Sequence, residues 1–268
     1  VLKADANARS AQFVTLWGGK GEWRQAVALV KIESRLPDDT ATARVVEGWA
    51  DSLRRRLGPA RSVGRADAPI DARDGVSRRR ESAIGNLVTD AMRSGTGADV
   101  GLLNAGAMRL DDVIPAGPIS SYQVESIFLF ADETRIVTFP LAGSRLREVL
   151  EHAVSDRALG TGAFLQVSGV EFSYDRSQRP GRRLVGDPRR PGGGAIGADD
   201  TVRVAMAAFP ACEGGDGYRI PEAAASCGQA ASGPRAADLL IRYIADSLGG
   251  KVTQPAGGRI TEAGGNPG

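Results

Sequence analysis

Residues 81–109 read ESAIGNLVTDAMRSGTGADVGLLNAGAMR. Ile84, Leu87, Val88, Ala91 and Met92 recur at helical spacing, so residues 81–93 are expected to form a helix with one apolar face. Val100 to Leu103 then form a short apolar run that stops at the turn Asn104-Ala105-Gly106, the pattern of a buried strand. Further strands are expected around Ile127–Phe130, Ile136–Phe139, Val170–Tyr174 and Val202–Ala208. Helices are expected near Leu146–Val154 and Ala236–Leu248, the second opened by Pro234 and closed by Gly249-Gly250. Residues 176–200, rich in Arg, Pro and Gly, read as a loop. Helices mixed with antiparallel-type strands indicate a layered α/β domain starting near Val63.

Upstream the pattern differs. Phe13, Leu16 and Trp17, the turn Gly18-Gly19-Lys20-Gly21, then Val27, Leu29 and Val30 predict two strands within 11–33. Such a hairpin is marginal alone and needs a sheet to lie against. Val46, Trp49, Leu53 and Leu57 form one stripe of a helix over 37–57, and Arg54-Arg55-Arg56 suits its C-terminal end. That helix reads as a connector. The Gly-rich tail after Thr261 is expected to fray.

The 268 residues are 42% hydrophobic and 25% charged, the balance of a globular chain able to bury a core. A net charge of +2 does not suggest a nucleic-acid coat, and there is no apolar run of about 18 residues that would span a bilayer. No signal peptide is visible; strand-like sequence begins so close to Val1 that further residues are expected before it. One histidine, His152, cannot supply the several ligands that a two-metal hydrolase needs. On its helix His152 reads as a surface or satisfied core residue. Cys212 and Cys227 flank a Gly-rich segment, as a disulfide pair or as two buried thiols. A bridge would stabilise by about 3 kcal/mol and indicate an extracytoplasmic protein.

Several stretches carry chemistry. Arg78-Arg79-Arg80 precede the helix of 81–93, where helix amides and guanidiniums attract anions; a solvated basic turn is the alternative. Asn104 and Arg109 sit after a strand, where ligands of α/β sheets commonly bind, although Asn104 suits a turn equally. Glu213-Gly214-Gly215-Asp216-Gly217-Tyr218 lets the backbone approach a ligand closely while presenting a carboxylate that vicinal hydroxyls can donate to; a capped turn is the bland version. Phe130 and Phe209 each end an apolar strand, as core residues or as two walls around a flat base. Gly192-Gly193-Gly194 follows no strand and fails as a phosphate loop.

These blocks, taken in order, resemble one family. Arg78-x-Arg80-Glu81-x-x-x-Gly85-Asn86-Leu87-x-x-Asp90-Ala91-Met92, Asn104-x-Gly106-x-x-Arg109, Phe130, Phe164-Leu165-Gln166-Val167-Ser168-Gly169, and Phe209 with Gly214-Gly215-Asp216-Gly217-Tyr218 are similar to the C-terminal domain of the 5′-nucleotidases. The resemblance covers roughly residues 60–262. It implies a layered α-β-β-α fold over 59–262, a connector helix at 37–58, terminal strands of a truncated metallophosphoesterase domain at 1–36 and a flexible tail at 263–268. It also implies that Arg78 and Arg109 contact phosphate, Asn104 bonds the base, Phe130 and Phe209 sandwich it, and Asp216 binds ribose hydroxyls, with Gly106 and Gly215 allowing close approach. Two departures stand out. Ala105 and Ala107 replace family glycines, so two methyls are expected to crowd the ligand, and the Pro210–Glu213 loop is one residue longer and holds Cys212.

On this resemblance the substrate is a nucleotide or nucleoside, the partner is the metallophosphoesterase domain of the same protein, and two divalent metal ions sit in residues before Val1. This chain then binds no metal, no nucleic-acid polymer and no membrane, and is inactive alone. The full protein is then expected to be a hydrolase that is extracellular, periplasmic or at the cell surface. A non-catalytic nucleotide-binding module is one competing reading, and a 2′,3′-cyclic phosphodiesterase or UDP-sugar hydrolase is another. A purely structural role would predict no adenosine binding.

Overall fold

A computed structural model describes residues 8–33, 35–128, 134–255 and 257–264. The chain divides into two compact units, Val1–Pro59 and Ala60–Gly268.

In the first unit, β1 (Ser10–Gly19) pairs antiparallel with β2 (Glu22–Lys31). Gly19 faces Glu22, so the connection is the two-residue turn Lys20-Gly21, and both residues have positive φ, 53° and 92°. That geometry matches the twist of the strands. Helix α1 (Thr40–Leu57) is capped by Asp39, whose carboxylate accepts from the Thr42 amide at 2.8 Å. Many large apolar residues of this unit are exposed, Trp23 at 67% and Trp49 at 75% among them.

The second unit opens with β3 (Ser62–Ala66), β4 (Ile70–Asp71), α2 (Asp74–Ser77) and α3 (Ala83–Thr96). Next come β5 (Val100–Asn104), β6 (Val113–Ile114), β7 (Gly117–Ser120) and α4 (Ser121–Ile127). Then follow β8 (Ile136–Ala142), α5 (Gly143–Ala153), β9 (Leu165–Ser168), β10 (Glu171–Tyr174) and β11 (Leu184–Arg189). The chain closes with β12 (Thr201–Ala207), α6 (Ala208–Cys212), α7 (Ala224–Cys227), α8 (Ala236–Arg242), β13 (Lys251–Val252) and β14 (Ile260–Glu262).

The central sheet has the order β8-β12-β5-β9, with β12 parallel to β5 and the other pairs antiparallel. Its two faces bury different sets of residues. Val100, Leu102, Val204, Met206, Phe139 and Val167 share a core with Leu146 and Leu150 of α5 and Phe172 and Leu184 of β10 and β11. Leu103, Ala205 and Ala207 turn to the opposite core, which includes Ile84, Leu87, Val88, Ala91 and Met92 of α3 and Leu239 and Leu240 of α8. Burial on both faces explains why β5 reads as a continuous apolar run rather than an alternating one. Each large side chain of the α3 stripe contributes roughly 1.5–3 kcal/mol. Smaller sheets β11-β10-β14 and β13-β3-β7 and the pair β4-β6 complete the unit.

Three sequence expectations need correction. Ile127 ends helix α4 and starts no strand, because Ser120 and Gln123 form a reciprocal capping box that launches a helix just before it. The 176–200 stretch contains β11, which pairs antiparallel with β10; Leu184 and Pro188 are buried, while the intervening Val185, Gly186 and Asp187 are exposed, so polar residues mask the pattern. The last long helix is regular only to Arg242 and continues as a π-type turn over Tyr243–Ser247 before Gly249 and Gly250. Residues 265–268 of the tail lie outside the described residues.

Candidate functional site

Strands β5 and β12 run parallel, and the chain segments leaving their C-terminal ends line one cleft of about 540 Å³. Adjacent parallel strand ends are where α/β sheets open for ligands. Asn104, Gly106 and Arg109 come from the end of β5 and its following turn, Phe209 and Asp216 from the segment after β12, and Arg78 from the residue after α2. Thr134, Gly162 and Glu213 also line it. Of the residues singled out in the sequence, Phe130 lies outside the described residues.

Phe209 does not end a strand. It is the second residue of α6, two residues past the end of β12, and its 49% exposure rules out a core role. A Cβ on Gly215 would fall 2.4 Å from the Phe209 ring, so the glycine backbone supports one region of the ring directly. Asp216 is left-handed (φ 57°, ψ 15°), a conformation that Asp tolerates better than most residues. Its Oδ2 accepts from Asn104 Nδ2 at 2.8 Å, and the buried Asn104 Oδ1 has no hydrogen-bond partner among the described residues.

Of the three consecutive arginines, Arg78 is the one that lines the cleft. Helix α3 begins at Ala83, and the buried Ser82 hydroxyl caps it by accepting from the Gly85 amide. Arg78 is held by Asp74 at 2.5 Å, with its Nε buried and unpartnered among the described residues. Burial pushes the Asp74 carboxyl above its usual range; Arg78 opposes this, Asp111 adds to it and Arg109 opposes it. Gln166, fully buried, fixes this segment: its Oε1 accepts from Ser82 N at 3.0 Å, and its Nε2 donates to Ser77 O at 2.7 Å and Arg80 O at 2.8 Å. Sequence reasoning missed Asp74 and the bracing by Gln166; the signal available was an Asp four residues before an Arg.

The two alanines expected to crowd a ligand sit differently. Ala105 is fully buried in the core and turned away, whereas Ala107 lines the cleft. Gly106 packs on Gly162, where a Cβ would come within 3.0 Å of the Gly162 Cα. Cys212 and Cys227 are joined by a disulfide that ties α6 to α7.

A family model described as "5′-nucleotidase, C-terminal domain" matches residues 62–223, more than half of the 268. The chain belongs to the 5′-nucleotidase family. It is 32% identical over 165 residues to the trifunctional nucleotide phosphoesterase protein YfkN of Bacillus subtilis, covering 59% of this chain and 11% of that protein. It is 28% identical over 224 residues to the snake venom 5′-nucleotidase of Naja atra, covering 76% of this chain and 41% of that protein. The crystal structure of the 5′-nucleotidase precursor from Thermus thermophilus superimposes with a TM-score of 0.77 at 26% identity, covering 96% of this chain and 50% of that one. The chain thus spans half or less of the length of each of these relatives. The mixed α/β architecture is that of 5′-nucleotidase C-terminal domains. Among the described residues no helix is long and apolar enough to cross a membrane, and no group of three or more His, Cys, Asp or Glu could hold a metal ion.

Proposed function

We propose that this chain recognises the substrate for a secreted 5′-nucleotidase-type phosphohydrolase. In this reading the base stacks on Phe209, with Phe130 as the second wall and Asn104 bonding its edge. Asp216 accepts hydrogen bonds from the ribose hydroxyls, and Arg78 and Arg109 bind phosphate. The observation that carries the reading is convergence: an aromatic face, a carboxylate and two guanidiniums from distant stretches line one cleft at the ends of β5 and β12.

Residues 1–36 are read as terminal strands of a metallophosphoesterase domain and 37–58 as its connector to the cleft domain of 59–262. Exposed Phe13, Leu16, Trp23 and Leu29 on the hairpin support this, because such residues favour a covering partner. The described residues offer no cluster that fits a metal pair. In this reading the metal chemistry of hydrolysis belongs to the metallophosphoesterase domain. What the cleft supplies is orientation of the phosphate ester, an effect that accelerates a reaction once the reacting groups are docked opposite. The disulfide supports a location outside the cytosol.

Calorimetric titration of the chain with adenosine and AMP tests the proposal. The expected result is one site of micromolar to millimolar affinity, since stacking and hydrogen bonding only modestly exceed the entropy of association. No phosphate should be released from AMP by the chain, and the full-length protein with divalent metal should release it. Failure of both ligands to bind would refute the reading.

A further inference from the structure

His152 is the chain's single histidine, on α5, an element that contributes no residue to the cleft lining. Its Nε2 lies 3.0 Å from the backbone carbonyl of Asp216. A carbonyl only accepts, so Nε2 carries the proton and donates. The imidazole stands edge-on to Tyr218, with ring centroids 4.4 Å apart and planes at 69°. Tyr218 is anchored in turn by its hydroxyl, which donates to Ala163 O at 2.6 Å. Gly217, at φ 81°, lies against the imidazole so closely that a Cβ there would meet His152 Cε1 at 3.3 Å. Asp216 is therefore gripped at both ends, its carbonyl by His152 and its carboxylate Oδ2 by Asn104 at 2.8 Å. Between these grips the residue holds a left-handed backbone, uncommon for any residue that carries a side chain.

We propose that His152 is a positioning residue for ribose recognition: its hydrogen bond to the Asp216 carbonyl holds that residue left-handed, with Oδ1 free for the sugar hydroxyls. The proposal rests on the reading of Asp216 as the ribose-binding group. His152 touches no ligand and acts only through Asp216.

The test compares adenosine with 2′,3′-dideoxyadenosine, which lacks the hydroxyls. His152→Phe keeps an aromatic edge against Tyr218 and removes the donor. It is expected to weaken adenosine binding about five- to ten-fold, the usual worth of one hydrogen bond, and to leave dideoxyadenosine affinity unchanged. His152→Gln places an amide nitrogen the same number of bonds from Cα as Nε2 and should restore discrimination. In an Asp216→Ala background, His152→Phe should cost nothing further. Because the histidine is unique, the imidazole 15N spectrum of the wild-type chain gives a second readout that needs no variant: adenosine should shift it and dideoxyadenosine should not. Equal losses for both ligands, undiminished loss in the Asp216→Ala background, or an imidazole insensitive to adenosine would overturn this inference alone. A wild-type chain that binds both ligands equally, or neither, would overturn the assignment of Asp216 and this proposal with it.

Discussion

Asn104 and Asp216, 112 residues apart in the chain, meet through a hydrogen bond of 2.8 Å from Nδ2 to Oδ2. The bond joins the end of β5 to the segment that follows β12, across the cleft lining. Residues sharing a bond do not act independently. Asn104→Ala and Asp216→Ala should each weaken adenosine binding, and the double variant should lose less than their sum, with a coupling of about 0.5–3 kcal/mol. Additive losses in a calorimetric double-mutant cycle would separate the two residues.

Phe209→Ala should weaken adenosine binding by about 1–3 kcal/mol, the value of one stacked base. Gly215→Ala gives a sharper version of this test. Its methyl would occupy space 2.4 Å from ring carbons, so the ring must leave its place. That variant should lose affinity to a similar degree, and adding Phe209→Ala should then cost little. Retained binding by Gly215→Ala would remove the ring from its supporting role.

Gln166→Leu should destabilise the chain by at least about 2 kcal/mol, because it strands two backbone carbonyls and one amide that the buried amide now satisfies. Since those groups belong to Ser77, Arg80 and Ser82, around Arg78, AMP affinity should fall more than adenosine affinity. Denaturant unfolding and paired titrations read both effects; wild-type stability would show that the network is dispensable.

Reduction, or a Cys212→Ser and Cys227→Ser pair, should cost about 3 kcal/mol for a closed loop of 15 residues. Cys212 shares α6 with Phe209, so adenosine binding should weaken as well. An unfolding midpoint and a binding constant insensitive to reductant would contradict this.

Alkaline pH probes Tyr218. Burial first, and the charge of Asp216 second, raise its hydroxyl well above the usual value. The folded chain therefore keeps this proton after the unfolded chain releases it. Its contribution to stability is complete below about pH 10 and is lost as pH rises through the folded value. Tyr174, pushed up to about 12 chiefly by burial, contributes in the same direction. Between pH 10 and 12 the Tyr218→Phe variant should lose stability less steeply than wild type, measured by denaturant midpoint against pH. Parallel curves would assign the alkaline limb elsewhere.

The parts of the fold legible in the sequence are those with strong local periodicity. The α3 stripe, the β5 run and the β1–β2 turn each announce themselves within a dozen residues, and the structure has α3 at Ala83–Thr96 and β5 at Val100–Asn104. Ile127 misleads because an apolar residue at a helix end looks like a strand start when the capping box before it is overlooked. Strand β11 is hidden because Val185, Gly186 and Asp187 are exposed in succession where its pairing with β10 shifts register, so no alternation of buried and exposed residues survives. In the cleft, residue types are readable but their mutual arrangement is not. Nothing local tells that Gln166 reaches back to Ser77, 89 residues earlier, or that His152 meets the Asp216 carbonyl. Such contacts exist only after the sheet has assembled.

The structure of the chain bound to AMP tests the central claim most directly. The account predicts the base against the Phe209 ring, the ribose hydroxyls within hydrogen-bonding distance of Asp216, and the phosphate between Arg78 and Arg109. AMP bound away from the ends of β5 and β12, or bound there with its phosphate remote from both arginines, would contradict it.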